Sequence, residues 1–137
     1  MQSSGGCVFG GYTDVTWGVG DEYKSSAAFF FFSLKDHAGI GPVKMPINSN
    51  KTAGAISLCS DYGPIFGGDN DLCIASNANT SASSECSIGE TYQIPASSAS
   101  DSYFLTGSNE FTVSNYEVLL VYETTGSTYC SLTRDTP

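Results

Sequence analysis

Hydrophobic positions in this chain fall into short runs separated by turn chemistry, and no apolar stripe keeps helical spacing for more than a turn or two. Residues 7–13 are apolar and interrupted by glycine, and residues 14–21 read as a loop carrying Trp17. Residues 27–35 are apolar on both faces, which predicts a strand buried inside a sandwich. Residues 37–50 hold Gly39, Gly41, Pro42 and Pro46 and read as a connection. Short strands are expected at 54–59 and 71–75, bracketing a glycine-rich segment at 60–70. Residues 77–87 and 96–102 read as polar loops. In 111–122, Thr112 and Ser114 alternate with Phe111 and Val113, and then 116–121 turns almost wholly apolar. That change of period predicts a bulge near Asn115 followed by a strand covered on both faces. The whole pattern predicts a mainly β fold: a two-layer antiparallel β-sandwich with few short helices.

Composition narrows the function classes. At 137 residues one domain spanning 1–137 is expected, long enough for a single core. Eight Phe, eight Tyr and one Trp exclude a disordered acidic tail, and 15 Gly with 5 Pro exclude a helical bundle. A net charge of −9, with only Lys24, Lys35, Lys44, Lys51 and Arg134 as cations, argues against nucleic acid or an anionic membrane surface as partner. No run approaches the ~18 apolar residues of a membrane span.

Five cysteines are many for this length, and the number is odd. No gap between them has zinc-ligand spacing, and the single His37 completes no metal set. Two sequons, Asn50-Lys51-Thr52 and Asn79-Thr80-Ser81, sit in polar segments and are glycosylation candidates. Together with the cysteines they favour an extracellular setting over a cytoplasmic one. Cys59 and Cys73, in apolar strand contexts, are either buried thiols or a disulfide. Cys7 and Cys130 are placed to staple the chain ends, and Cys86, in a polar loop, is the candidate unpaired thiol.

Catalytic chemistry finds little support. His37 lies in a turn-like segment and reads as solvated before it reads as a base. Neither a G-x-S-x-G elbow nor a phosphate-cradling loop is present. Asp61, Asp69 and Asp71 place hard oxygens along a glycine-rich turn, as calcium prefers, but the spacing fails the EF-hand pattern. Short Asp side chains that cap turns are the stronger reading, so calcium is the lesser one and no other cofactor is expected. The glycines of Gly63-Pro64-Ile65-Phe66-Gly67-Gly68 read as turn and packing positions before a ligand cradle. Trp17, Tyr12 and Tyr62 read as core-closing aromatics before a binding patch.

Several segments then carry a resemblance. They are Val8-Phe9-Gly10-Gly11-Tyr12-Thr13 with Trp17, Phe29, Phe32-Ser33-Leu34, Ile56, and Ser60-Asp61-Tyr62-Gly63-Pro64-Ile65-Phe66-Gly67-Gly68 followed by Asp71-Leu72-Cys73-Ile74. Gly89, Tyr92, Phe104-Leu105-Thr106-Gly107, Phe111-Thr112-Val113 and Tyr116-Glu117-Val118 continue it. In this order, over roughly 8–122, the chain resembles the TLDc domain family. The resemblance implies two antiparallel sheets packed face to face. It also implies a role in oxidation resistance or, in intracellular members, binding to the vacuolar proton pump, and no agreed catalytic constellation.

Domains of that family normally begin upstream of the FGGYT-like piece. The expectation is therefore a module lacking the usual N-terminal segment, completed by a partner at an exposed edge near 7–13, with 123–137 as a C-terminal extension. The expected function is a non-enzymatic interaction or structural module. It would be an extracellular scaffolding subunit in a homo- or hetero-assembly, in a matrix or mineralised setting. The alternatives are the intracellular oxidation-resistance role and, last, a cysteine- or carboxylate-based enzyme. Contacts are expected from the edge at 7–13 and the loops at 61–71 and 77–87. Charge reversal at Asp69 and Asp71 is expected to weaken a basic partner more than the fold.

Overall fold

Each strand divides its residues between two faces, and that division assembles the layers. The computed structural model describes residues 1–124 and 127–133, and side-chain surroundings through residue 121. In chain order the strands are β1 (Gln2–Ser3), β2 (Val8–Tyr12), β3 (Tyr23–Lys24), β4 (Phe30–Lys35), β5 (Val43–Pro46), β6 (Ile56–Ser57) and β7 (Tyr62–Phe66). They continue as β8 (Leu72–Ala75), β9 (Ser84–Cys86), β10 (Glu110–Phe111), β11 (Val113–Asn115), β12 (Val118–Thr124) and β13 (Ser127–Thr133). Single 3₁₀ turns occur at Thr52–Gly54 and Ala96–Ser98. One sheet runs β11-β1-β2-β4-β5 and the other β10-β9-β8-β7-β6-β3. Every pairing is antiparallel. Phe9, Phe31 and Met45 from the first sheet meet Ile56, Phe66 and Leu72 from the second in one buried cluster. The expected mainly β sandwich is the observed fold.

Adjacent glycines in β2 let a ring lie against each face of that strand. A Cβ on Gly11 would lie 2.5 Å from Cζ of Phe66, which reaches across from the opposite sheet. A Cβ on Gly10 would run into the Phe32 ring on the outer face. Phe66 uses its space to contact Trp17 and Phe31 edge-on, with centroids 5.3 and 5.2 Å away. On the outer face Tyr12 stacks on Phe30 at 5.0 Å, and Lys44 Nζ sits 3.9 Å from the centroid of the Phe30 ring.

Several expectations about strands need correction. The edge expected at 7–13 is open only in part: β4 pairs β2 along its length on one side, while on the other β1 and Met1 cover only Val8 and Phe9. The apolar run at 27–35 has only one face in the core. Phe29, Phe31 and Ser33 are buried, whereas Phe30 and Phe32 are half-exposed and Leu34 is exposed. The connection at 37–50 contains β5, and the loop at 77–87 contains β9. The chain breaks between β11 and β12 at Tyr116–Glu117, just past the expected bulge, but β12 is not covered. Val118, Leu119, Leu120 and Val121 are 43–57% exposed. The expected extension at 123–137 begins inside β12, which β13 pairs along its length.

Two substitutions test this packing. Gly11→Ala is expected to cost about 1–3 kcal/mol, because Phe66 is held by the core and cannot swing away. Gly10→Ala should cost less, since half-exposed Phe32 has room to move. Equal losses of melting temperature would refute that difference. Among the described residues the Ser33 hydroxyl is buried with no hydrogen-bond partner. Ser33→Ala is therefore expected to leave the melting temperature unchanged or raise it. A clear fall would show that the hydroxyl is satisfied.

Candidate functional site

The glycine-rich hairpin of β7 and β8 is fixed by one buried carboxylate. Asp71 is fully buried. Its carboxylate accepts the backbone N–H groups of Gly89 (3.1 Å), Thr91 (3.0 and 3.1 Å) and Tyr92 (2.9 Å). Burial pushes the Asp71 carboxyl above its ordinary range, against the pull of the Tyr92, Thr91 and Gly89 bonds. Gly67 has φ +88°, and a Cβ there would lie 2.6 Å from Asp71 Oδ1. The motif glycine and the motif aspartate therefore require each other. Tyr92, held by this carboxylate, donates its hydroxyl to the Ala55 carbonyl at 2.7 Å and packs on Phe31 at 4.1 Å.

Beside this frame lies a groove. Ser57, Leu58 and Cys59 form the shared wall of two adjoining clefts of about 210 and 250 Å³. Trp17, Tyr62 and Pro64 line the first, and Asp21, Glu22 and Tyr23 line the second. One end is thus aromatic and the other acidic, with the half-buried Cys59 thiol between them. Tyr62 and Tyr23 are 49% and 61% exposed, so both present their rings to solvent. The frame beneath is rigid: Trp17 is braced by Phe66, and the Lys24 ammonium is bonded to the Thr16 carbonyl at 2.6 Å.

The sequence candidates separate in space. Trp17 and Tyr62 share the groove, while Tyr12 lies on the outer face of the other sheet with Phe30. Asp61 and Asp69 are exposed and Asp71 is buried, and among the described residues no three His, Cys, Asp or Glu side chains converge as a metal site. Asp71 is committed to backbone donors and offers a cation nothing, which overturns the expectation that its charge is a contact. Cys7, Cys59, Cys73 and Cys86 are free thiols, and the side chain of Cys130 lies outside the described residues. Cys86, expected in a polar loop, is a core residue of β9, and burial pushes its thiol up to about 12. Burial, then Glu85 and Cys59, push Cys73 up to about 11. Neither is a thiolate near neutral pH.

His37 is the exposed turn residue expected, and its Nε2 lies 3.0 Å from Asp101 Oδ2. A Cβ on Gly107 would lie 3.5 Å from His37 Cβ and 3.6 Å from Cys7 Sγ, so both side chains flank that glycine. The groove residues Asp21, Glu22, Tyr23 and Ser57 were not singled out by sequence. The only signal was the acidic pair before Tyr23, which needs the β3–β6 pairing to become a wall. Asn50 and Asn79 are both exposed in turns.

A family model of the TLDc domain matches residues 1–121, taking in β1 and ending within β12. No curated protein and no solved structure matches the chain.

Asp71 and Asp36 make opposite predictions with pH. Asp36 is buried, and although burial opposes its ionisation, N–H bonds from Ile40, Gly41 and Ala38 hold its carboxyl below the ordinary range. Its stability contribution is present above the unfolded pKa of about 3.9 and is lost as pH falls through the lower folded value. Asp71, raised in the fold, contributes most below that pH and loses this contribution as pH rises through its folded value. Stability measured against pH for wild type minus Asp36→Asn should therefore fall toward acid. Wild type minus Asp71→Asn should fall in the other direction, and slopes of the same sign would refute the assignment. Asp71→Ala, which strands three backbone donors, should cost about 3 kcal/mol or more.

Proposed function

The chain belongs to the TLDc domain family, whose members are protein-interaction modules, and from that premise we propose that it is a non-catalytic binding domain whose contact surface is the groove at Ser57–Cys59. Its partner is a basic, extended segment of another protein. The observation that carries this reading is the groove's polarity, aromatic at Trp17 and Tyr62 and acidic at Asp21 and Glu22. Lys and Arg stems pack on aromatic faces while their charges meet carboxylates, so one basic peptide satisfies both ends. The net charge of −9 steers such a partner toward the domain.

The extracellular setting is part of the proposal. Exposure of Asn50 and Asn79 supports it, as do hydroxyl-rich loops suited to a matrix assembly. The intracellular oxidation-resistance role, through the vacuolar proton pump, is the second reading. What favours it is the set of four free thiols, at home in a reducing compartment. Intact mass of the native chain separates the two: N-linked glycan at Asn50 or Asn79 supports secretion, and a bare, fully reduced chain sinks it.

Trp17 is the single tryptophan and reports on the groove directly. A Lys/Arg-rich decapeptide should shift its fluorescence, and an acidic peptide of equal length should not. Asp21→Lys with Glu22→Lys should weaken binding about tenfold or more, without moving the melting temperature, because both side chains are exposed. Binding that survives the double reversal, or equal binding of both peptides, rejects the groove as the contact surface.

A further inference from the structure

Among the described residues, the outermost strands of the two layers are β5 and β11 in one sheet and β3 and β10 in the other. Three of these edges are blunted. Glu110 of β10 turns its carbonyl outward, and the Ser108 hydroxyl donates to it at 2.7 Å. Val113 of β11 donates its N–H to the Ala78 carbonyl at 2.7 Å. On β5, Pro46 has no N–H to offer, its carbonyl accepts the Gln93 N–H at 2.9 Å, and Lys44 brings a positive charge.

The β3 edge is open. Leu58 N–H bonds the Glu22 carbonyl at 2.8 Å, so these two residues form a hydrogen-bonded pair next to Tyr23 and Ser57. Alternation along an antiparallel ladder then turns the N–H and C=O of Tyr23 away from β6. Tyr23 is 61% exposed. On either side of it Asp21 and Ser25 are exposed too, and their backbone groups make no hydrogen bond among the described residues. The carboxylates of Asp21 and Glu22 stand beside this row of free donors and acceptors and line the acidic cleft.

We propose that the β3 edge takes the basic partner as an added strand, antiparallel to β3, which extends the second sheet past the groove. This contact rests on the basic-partner reading of the groove and adds the means by which such a segment is held. One residue of the segment lies opposite Tyr23 and exchanges both backbone bonds with it. Its next two residues then stand opposite Glu22 and Asp21, and the residue before it stands opposite Lys24. Opposite charges favour the first two pairs, and a like charge would disfavour the last. The segment recognised is therefore a neutral stretch followed by two basic residues. A parallel strand would reverse that order and is less stable per residue, and every pairing already in this sheet is antiparallel.

The probe is a capped octapeptide of Thr and Val that ends in Lys-Arg, added to the full chain and read by Trp17 fluorescence. Its dissociation constant should be on the order of 100 µM. Moving Lys-Arg to the front of the peptide should weaken binding at least tenfold, since no residues then remain to pair with Tyr23 and Ser25. N-methylation of the residue opposite Tyr23, two before Arg, removes the N–H that meets the Tyr23 carbonyl and should also cost at least tenfold. The same methyl group on the Lys amide, which points away from β3, should change little. Bound peptide should slow hydrogen exchange at the Tyr23 amide. Equal binding of the two N-methylated peptides, or unchanged Tyr23 exchange, overturns strand addition and leaves the charged groove standing. Preference for the peptide with Lys-Arg in front overturns the antiparallel register. Binding indifferent to Asp21→Lys with Glu22→Lys, or none by about 1 mM, sinks the basic-partner reading and the added strand together.

Discussion

The buried Asp71 carboxylate is the constraint on which the rest of the domain depends. A carboxylate without water must find donors, and here the donors are backbone groups of residues 18 to 21 positions further along the chain. Satisfying Asp71 therefore fixes the course of the segment at 89–92. That segment crosses between layers: the Thr91 carbonyl accepts Asn48 N–H, Ile47 bridges Tyr92, and the Tyr92 ring packs on both Phe31 and Phe66. One acid thus ties the β7–β8 hairpin to the opposite sheet. The motif glycines serve the same end, since Gly67 leaves room for the carboxylate and Gly63 lies against the Ile74 carbonyl, 3.0 Å from where its Cβ would be.

The groove inherits its rigidity from this arrangement. Phe66 is held from one side by Tyr92 and Phe31 and slides over Gly11, and Trp17 rests edge-on against it. The aromatic end is therefore a fixed surface, and a ligand meeting it loses little to ordering the protein. Across the molecule, the Tyr12–Phe30–Lys44 ladder satisfies its own exposed rings. Tyr12 covers one part of Phe30 and the Lys44 ammonium another, so that patch offers a partner little open aromatic surface.

What could be read in advance followed from local pattern, and what could not came from distant contacts. The two-layer β architecture is written in alternation and turn residues, and the family signature lies in contiguous stretches such as 62–72. A turn role for Asp71 was legible because Asp beside glycine caps turns. That its donors lie at 89–92 was not, since no local pattern encodes a bond across 20 residues. Cys86 sits in a Ser-rich stretch and looked solvent-facing, yet pairing with Leu72 turns it into the core. Periodicity also failed for apolar runs. The runs at 27–35 and 116–121 look alike, but one has β2 and β5 beside it and a sheet across from it, whereas the other, among the described residues, has only β13.

The domain's few cations explain why its surfaces divide by charge. Among the described residues only Lys51 is paired with a carboxylate, that of Glu90; Lys24 bonds a carbonyl, Lys44 lies over an aromatic ring, Lys35 is exposed and Arg134 lies outside the described residues. Little positive charge remains to neutralise Asp21, Glu22, Asp61, Asp69, Glu85 and Glu110, all exposed. Glu85 and Glu110 even stand opposite one another across β9 and β10. A surface left in that state repels copies of itself and attracts basic chains.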